Sequence, residues 1–248
     1  MHKATNYRGL HLTPIISKVA ERVLKTFFGA YVEAIDAFGE SQWAFRKGRG
    51  CPDLVLLMVS SWLRDFQRRR KVGVFLSDIS GAFDRVDADK MVRKLRRIGL
   101  SDQLLRLFED YLSPRRATVA VDGSESYEFI LQNMVFQGTV LGPTLWNIYF
   151  SDIHASAESG GARGQRFADD LSTSKAYPNH ICNDVILEDL RATQVAVHEW
   201  GVINRVSFDP AKEEFAILSP IDGFGKSFRL LGPIIDSKLL MHECIDII

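Results

Sequence analysis

Residues Gln165-Arg-Phe-Ala-Asp-Asp-Leu-Ser-Thr173 set two adjacent carboxylates, Asp169 and Asp170, inside a stretch that otherwise has the composition of a strand. Neighbours on a strand face opposite sides of the sheet, so one acid is driven toward an interior unless a turn, a ligand or a metal ion receives it. A second stretch bears on the problem. Lys71-Val-Gly-Val-Phe-Leu76 also reads as a strand, Gly73 being outweighed by the β-branched and aromatic residues around it, and it runs into Ser77-Asp78. Asp78 therefore stands at the C-terminal end of a central strand. If the two strands are neighbours, Asp78, Asp169 and Asp170 form one carboxylate cluster, which requires a proton or a divalent cation to compensate it. Oxygen donors of this kind suit Mg²⁺ or Mn²⁺, and two ions about 3.5 to 4 Å apart are a common apparatus for in-line phosphoryl transfer. An Asp-Asp pair alone occurs by chance about once in a chain of this size, so its surroundings decide.

Working outward, Ile16, Val19, Val23, Phe27, Tyr31 and Ile35 recur at three or four after Thr13-Pro14, which predicts a helix over 15–35. A second helix is expected from Asp53 to Gln67. Asp87 to Ile98 is amphipathic, with Asp87 as its cap and Gly99 as its stop, and Ser101 caps a further helix through Tyr111. Asp122-Gly123-Ser124 between 117–122 and 127–134 is a hairpin signal. Leu145 to His154 is expected to be helical, and Ser156 to Gly164 a connection. Asp184 to Asn204 reads as a long helix with Ile186, Leu190, Val197 and Trp200 inward, followed by strands near 214–218 and 228–235. The order is that of an interleaved α+β protein.

Composition bounds the function. A chain of 248 residues, 46% hydrophobic and 10% aromatic, can bury a sizeable core. Cys51, Cys182 and Cys244 stand far apart, which argues against a disulfide framework or a zinc site and for a reducing, intracellular setting. No window reaches the roughly 18 apolar residues of a membrane span, so a soluble protein without a membrane partner is expected. Lys plus Arg equals Asp plus Glu at 31 each, so any nucleic-acid surface must come from local clusters. These are Arg46-Lys47-Gly48-Arg49, Arg64 with Arg68 to Lys71, Lys90 to Arg97, and Arg115-Arg116. Each is ordinarily a solvated helix face or end; together they leave room for a basic channel.

The whole ordered set resembles reverse transcriptases, and most of all the non-LTR retrotransposon branch. The blocks that carry the resemblance are Leu76-Ser-Asp-Ile-Ser-Gly-Ala-Phe-Asp-Arg-Val86, Phe136-Gln-Gly-Thr-Val-Leu-Gly-Pro-Thr-Leu-Trp-Asn147 and Phe167-Ala-Asp-Asp170. Asn6-Tyr-Arg-Gly-Leu-His-Leu12 with Lys18 and Glu21, and Gln42-Trp-Ala-Phe-Arg-Lys-Gly-Arg-Gly50, resemble the two fingers blocks. Asp209-Pro-Ala-Lys212 and Leu231-Gly-Pro-Ile-Ile-Asp236 resemble the last two palm blocks. Two positions depart from the pattern: Gly9 where proline is usual and Ala44 where glycine is usual.

The resemblance implies a right-hand polymerase of fingers and palm, an antiparallel palm sheet backed by helices, with the thumb absent. Fingers would occupy 1–70, the first palm segment 71–87, an insertion 88–136, the main palm 137–220 and a primer-grip-like end 221–248. Asp78, Asp169 and Asp170 would hold two Mg²⁺ or Mn²⁺ ions, with Lys212 beside the leaving pyrophosphate. Phe83 would lie under the sugar of the incoming nucleotide and exclude a 2′-hydroxyl, where RNA-dependent RNA polymerases place an aspartate. Gln137 and Gly138 would meet the nascent pair, Arg8, Arg46 and Lys47 the triphosphate of a dNTP, and Leu231 and Gly232 the DNA primer opposite an RNA template. Two alternatives are a polymerase-like fragment of a retroelement that only binds RNA or a partner, and a metal-dependent nuclease, whose chemistry has no use for Phe83 or the Gln137-Gly138 turn.

Overall fold

The computed structural model describes residues 11–79, 81–132 and 135–241. In chain order its elements are α1 (Ile15–Ala34), α2 (Cys51–Gln67), β1 (Arg70–Ser77), α3 (Ala88–Arg97) and α4 (Asp102–Tyr111). Four short strands follow, β2 (Arg115–Ala117), β3 (Ala120–Val121), β4 (Ser124–Glu125) and β5 (Phe129–Leu131), then α5 (Gly142–Tyr149) and α6 (His154–Ala157). The remainder is β6 (Arg163–Phe167), β7 (Asp170–Pro178), α7 (Asn183–Asn204), β8 (Glu214–Leu218), β9 (Phe228–Arg229) and β10 (Ile234–Ile235). They belong to two compact units, one drawn from Met1–Phe38 and Gly81–Phe150, the other from Gly39–Ser80 and Ser151–Ile248.

The second unit is built on β1, which is buried from Lys71 to Ser77 and lies between β7 and β8 in an antiparallel sheet of order β6-β7-β1-β8. One face, with Val72, Val74 and Leu76, packs on Leu54, Met58 and Trp62 of α2 and on Phe228 and Ile235. On the other face Gly73 lets α7 approach closely: a Cβ there would stand 2.8 Å from Ile186 Cγ2 and 3.2 Å from Leu190 Cδ1. Helix α2 begins where the Asp53 carboxylate accepts the Gly50 N–H at 3.0 Å, with Pro52 in its first turn. The sequence predicts most elements of this unit, but the strand-like stretch around Asp169 is two strands joined by a turn, the connection expected over 156–164 begins with the end of α6, and the strand expected over 228–235 is a tight hairpin. It turns at Leu231 (φ +53°) and Gly232 (φ +129°).

In the first unit, Asp87 Oδ1 accepts the Lys90 N–H at 3.0 Å and Ser101 Oγ that of Leu104 at 3.5 Å, so both predicted caps form. Asp122 (φ +50°) and Gly123 (φ +81°) turn β3 into β4, nested within the β2–β5 pair. Helix α5 starts three residues earlier than expected, because Pro143 sits in its first turn, and it stops at Tyr149; the predicted second half is replaced by 3₁₀ residues Ser151–Ile153, which belong to the second unit. Helix α1 forms as its spacing requires, yet Ile16, Val19, Val23 and Phe27 are exposed and the buried face is Glu21, Phe28 and Val32.

Two basic residues of the charge runs are interior. Lys71 Nζ binds Asp222 Oδ2 at 2.5 Å and Asn183 Oδ1 at 3.0 Å, and Lys94 Nζ donates to the last carbonyl of α5, Tyr149 O, at 2.6 Å. Among the described residues no helix is long and apolar enough to cross a membrane.

Because nothing but a glycine fits between β1 and α7, Gly73→Ala is expected to lower unfolding free energy by about 1–3 kcal/mol, read from the urea midpoint. An unchanged midpoint would show that α7 gives way without penalty.

Candidate active site

Antiparallel pairing of β1 with β7 opposes Ser77 to Leu171, so the strand end that carries Asp78 meets the strand start at Asp170. The turn between β6 and β7 is Ala168-Asp169, closed by the Phe167–Asp170 pair. That turn separates the two adjacent acids: Asp169 lies in it, and Asp170 begins the next strand.

A cleft of about 330 Å³ opens at this point, lined among others by Asp78, Asp170, Lys212, Arg229 and Leu231. Burial, and then the charges of Asp169 and Asp78, push the Asp170 carboxyl up to about 6, with Lys212 acting in the opposite direction. Lys212 is drawn onto the trio. Its Nζ hydrogen-bonds Asp78 Oδ2 and stands 3.9 Å from Asp209 Oδ2, and the bond to Asp78 raises its pKa. Asp209-Pro-Ala-Lys212 is a tight turn: Lys212 N–H donates to Asp209 O at 2.9 Å, Ala211 N–H to Asp209 Oδ1 at 3.1 Å. Asp209 N–H in turn donates to Asp78 O at 3.0 Å, which moors the turn to β1.

Several supports were not legible as site residues. Glu213, next to Lys212, accepts from Ser77 Oγ at 3.0 Å, Gln194 Nε2 at 2.5 Å and His198 Nε2 at 2.6 Å, tying the start of β8 to β1 and α7. Cys51 Sγ donates to Leu231 O at 3.3 Å and holds the β9–β10 turn on the first residue of α2. Burial and the Asp170 charge raise its thiol pKa. The only signals for these residues in sequence were their positions within or beside the motif blocks.

Of the other candidates in this unit, Arg46 Nη1 donates to Gly39 O at 2.7 Å and Lys47 is exposed; neither lines the 330 Å³ cleft, nor does Gly232. Arg8 lies outside the described residues. In the first unit, Phe83 is half-buried on a 3₁₀ turn with its ring centroid 5.9 Å from that of Trp146, and its carbonyl accepts the Val135 N–H at 3.0 Å. Two residues beyond Val135, Gln137 O accepts from His11 N at 3.3 Å, and Gly138 takes φ +92°. Buried Glu21 fixes the end of this turn by accepting the N–H groups of Val140 at 2.7 Å and Leu141 at 3.0 Å, at the start of α5.

No group of three or more His, Cys, Asp or Glu side chains among the described residues is arranged to hold a metal ion; Asp78 engages Lys212 instead. The donor set nonetheless fits a hard divalent cation. It consists of carboxylate oxygens, of which those of Asp170 are raised in pKa by burial and then by the charges of Asp169 and Asp78, and a cationic side chain, Lys212, has been drawn onto it.

Residues 1–234 match the family described as "Reverse transcriptase (RNA-dependent DNA polymerase)". The chain belongs to that family. It is 30% identical over 213 residues to the RNA-directed DNA polymerase from mobile element jockey of Drosophila funebris, covering 84% of this chain and 23% of that protein. It is 31% identical over 200 residues to the probable RNA-directed DNA polymerase from transposon X-element of Drosophila melanogaster, covering 79% and 22%. The chain thus spans a little under a quarter of these relatives. Telomerase from Candida tropicalis, in complex with a fragment of telomeric RNA, shares the fold at a TM-score of 0.62 and 13% identity, over 91% of this chain and 37% of that one.

The raised Asp170 pKa fixes the sign of a pH effect. The folded chain holds this proton more tightly than an unfolded chain, whose carboxyl titrates at its ordinary 3.8, so stability falls as pH rises from about 4 to about 6. Asp170→Asn removes the charge. In metal-free buffer above pH 6 it is expected to be more stable than the parent by about 1 kcal/mol, discounted for partial solvent exposure, with no advantage below about pH 4. Thermal melts across pH check this; an Asp170→Asn variant less stable than the parent at pH 8 would contradict it.

Proposed function

We propose that this chain is the catalytic core of an RNA-directed DNA polymerase, with the fingers-and-palm organisation of that class. The observation that carries the reading is the β1–β7 register, which sets Asp78 beside Asp170 at the mouth of a cleft that Lys212 also enters. In this reading the 3′-hydroxyl of a DNA primer on an RNA template attacks the α-phosphate of a dNTP and pyrophosphate leaves. Positioning and electrostatics supply most of the rate.

Asp78, Asp169 and Asp170 would hold Mg²⁺ or Mn²⁺, two ions in all. When bound, such ions lower the pKa of the attacking hydroxyl and neutralise charge on the leaving group. Lys212, released from Asp78, offers its ammonium to the pyrophosphate. Phe83 lies under the sugar and selects deoxyribose. Gln137 and the left-handed Gly138 bring backbone close to the nascent pair. Arg8, Arg46 and Lys47 bind the triphosphate, Arg46 after leaving the Gly39 carbonyl; Leu231 and Gly232, at the tip of the β9–β10 hairpin, grip the primer end. Template and primer are held chiefly by their phosphates, so affinity falls as salt rises.

Primer extension on poly-rA/oligo-dT with Mg²⁺ or Mn²⁺ tests this reading. The parent extends, Asp169→Asn loses about 100-fold or more, and Phe83→Ala gains ribonucleotide incorporation by about tenfold or more. A folded parent that binds the duplex and adds no nucleotide would instead favour a fragment that only binds RNA or a partner.

A further inference from the structure

Gln42 is completely buried, and its amide serves only backbone groups among its hydrogen bonds. Oε1 accepts the N–H of Ala168 at 3.2 Å and that of Ala44 at 3.1 Å, while Nε2 donates to the carbonyl of Ala168 at 3.4 Å. One side chain thereby holds both polar groups of a single residue.

That residue opens the turn that carries Asp169. Ala168 has φ +57°, in the left-handed region, a conformation that costs a residue with a Cβ about 1–2 kcal/mol. Glycine or asparagine usually fills such a hairpin position. An alanine remains there when its surroundings over-determine it.

The amide is itself held in place. Gln42 forms a parallel bridge with Arg166, whose N–H donates to Ser41 O at 2.8 Å and whose carbonyl accepts from Trp43 N at 2.9 Å. The Arg166 guanidinium, 1% exposed, donates from Nη2 and Nε to Ser41 Oγ at 2.9 and 3.3 Å and from Nη1 to Ser151 O at 3.0 Å. Residues 41–43 are thus fixed on the edge of β6, and Gln42 cannot follow a turn that moves.

We infer that Gln42, anchored through Arg166, is a positioning residue that keeps Ala168 left-handed and so presents Asp169 and Asp170 to the cation site. The inference rests on the proposed function only for what those carboxylates hold. Methionine matches the length of glutamine but offers neither acceptor nor donor; glutamate keeps the acceptors and loses the donor to Ala168 O.

The test compares the parent chain with Gln42→Met and Gln42→Glu by Mn²⁺ titration followed by electron paramagnetic resonance, by steady-state primer extension, and by thermal melts. In Gln42→Met the Mn²⁺ dissociation constant is expected to rise about 10- to 100-fold and kcat to fall by a similar factor. Gln42→Glu shifts the same way and stands in if the methionine variant does not fold. A folded variant with parental Mn²⁺ affinity and kcat overturns the inference, whatever its melting temperature. A parent that extends no primer, with weakened Mn²⁺ binding in the variants, upholds the positioning role and removes the polymerase reading. A parent that binds no Mn²⁺ overturns the inference, and primer extension alone then decides the polymerase reading.

Discussion

Where β1 meets β7 the second unit gathers three carboxylates, Asp78, Asp169 and Asp170, and like charges brought together repel one another. Antiparallel pairing of β1 with β7 forces the strand end bearing Asp78 against the strand start bearing Asp170, and the turn before β7 adds Asp169. Left alone, such a trio disfavours the fold, and the Asp170 carboxyl is raised first by burial and then by the charges of Asp169 and Asp78. Lys212 offsets part of the repulsion, and a tight turn hydrogen-bonded to Asp78 delivers it there. A sheet that tolerates this arrangement needs rigidity elsewhere.

That rigidity comes from polar side chains in the interior. Gln42 and Arg166 fix the Ala168-Asp169 turn, and Glu213 ties β8 to β1 and α7 beside Lys212. In the first unit Glu21 does the same for the turn after Gln137 by accepting two N–H groups at the start of α5. Each is a buried or half-buried group satisfied by hydrogen bonds, the condition under which polar interiors specify one arrangement. Within the second unit the motif blocks therefore hold two kinds of residue, those that line the cleft, such as Asp78, Asp170 and Lys212, and those that brace it, such as Gln42.

Much of this architecture is legible in the sequence because periodicity and capping are local. The helix over 184–204 with Ile186, Leu190 and Trp200 inward, the caps Asp87 and Ser101, and the central strand that leads into Asp78 all follow from residue spacing and turn chemistry. What is not legible depends on tertiary partners. Periodicity predicts helix α1 but not that its apolar stripe, with Ile16 and Phe27, would be exposed while Glu21 is buried. Charge runs read as solvated faces hide Lys71 and Lys94, whose partners Asp222 and Tyr149 are remote in sequence. The hairpin at Leu231-Gly232 was hidden by apolar residues on both sides, and Gln42 gave no sign that its amide reaches Ala168.

In the proposed function Asp78, Asp169 and Asp170 hold divalent cations at the junction of β1 and β7. Anomalous diffraction at the manganese edge, from crystals of this chain soaked in Mn²⁺, tests it most directly. A peak is expected within ligand distance of Asp78 and of Asp169 or Asp170, with Lys212 moved off Asp78. Full Mn²⁺ occupancy elsewhere, or none, with the Lys212–Asp78 pair intact, would contradict it.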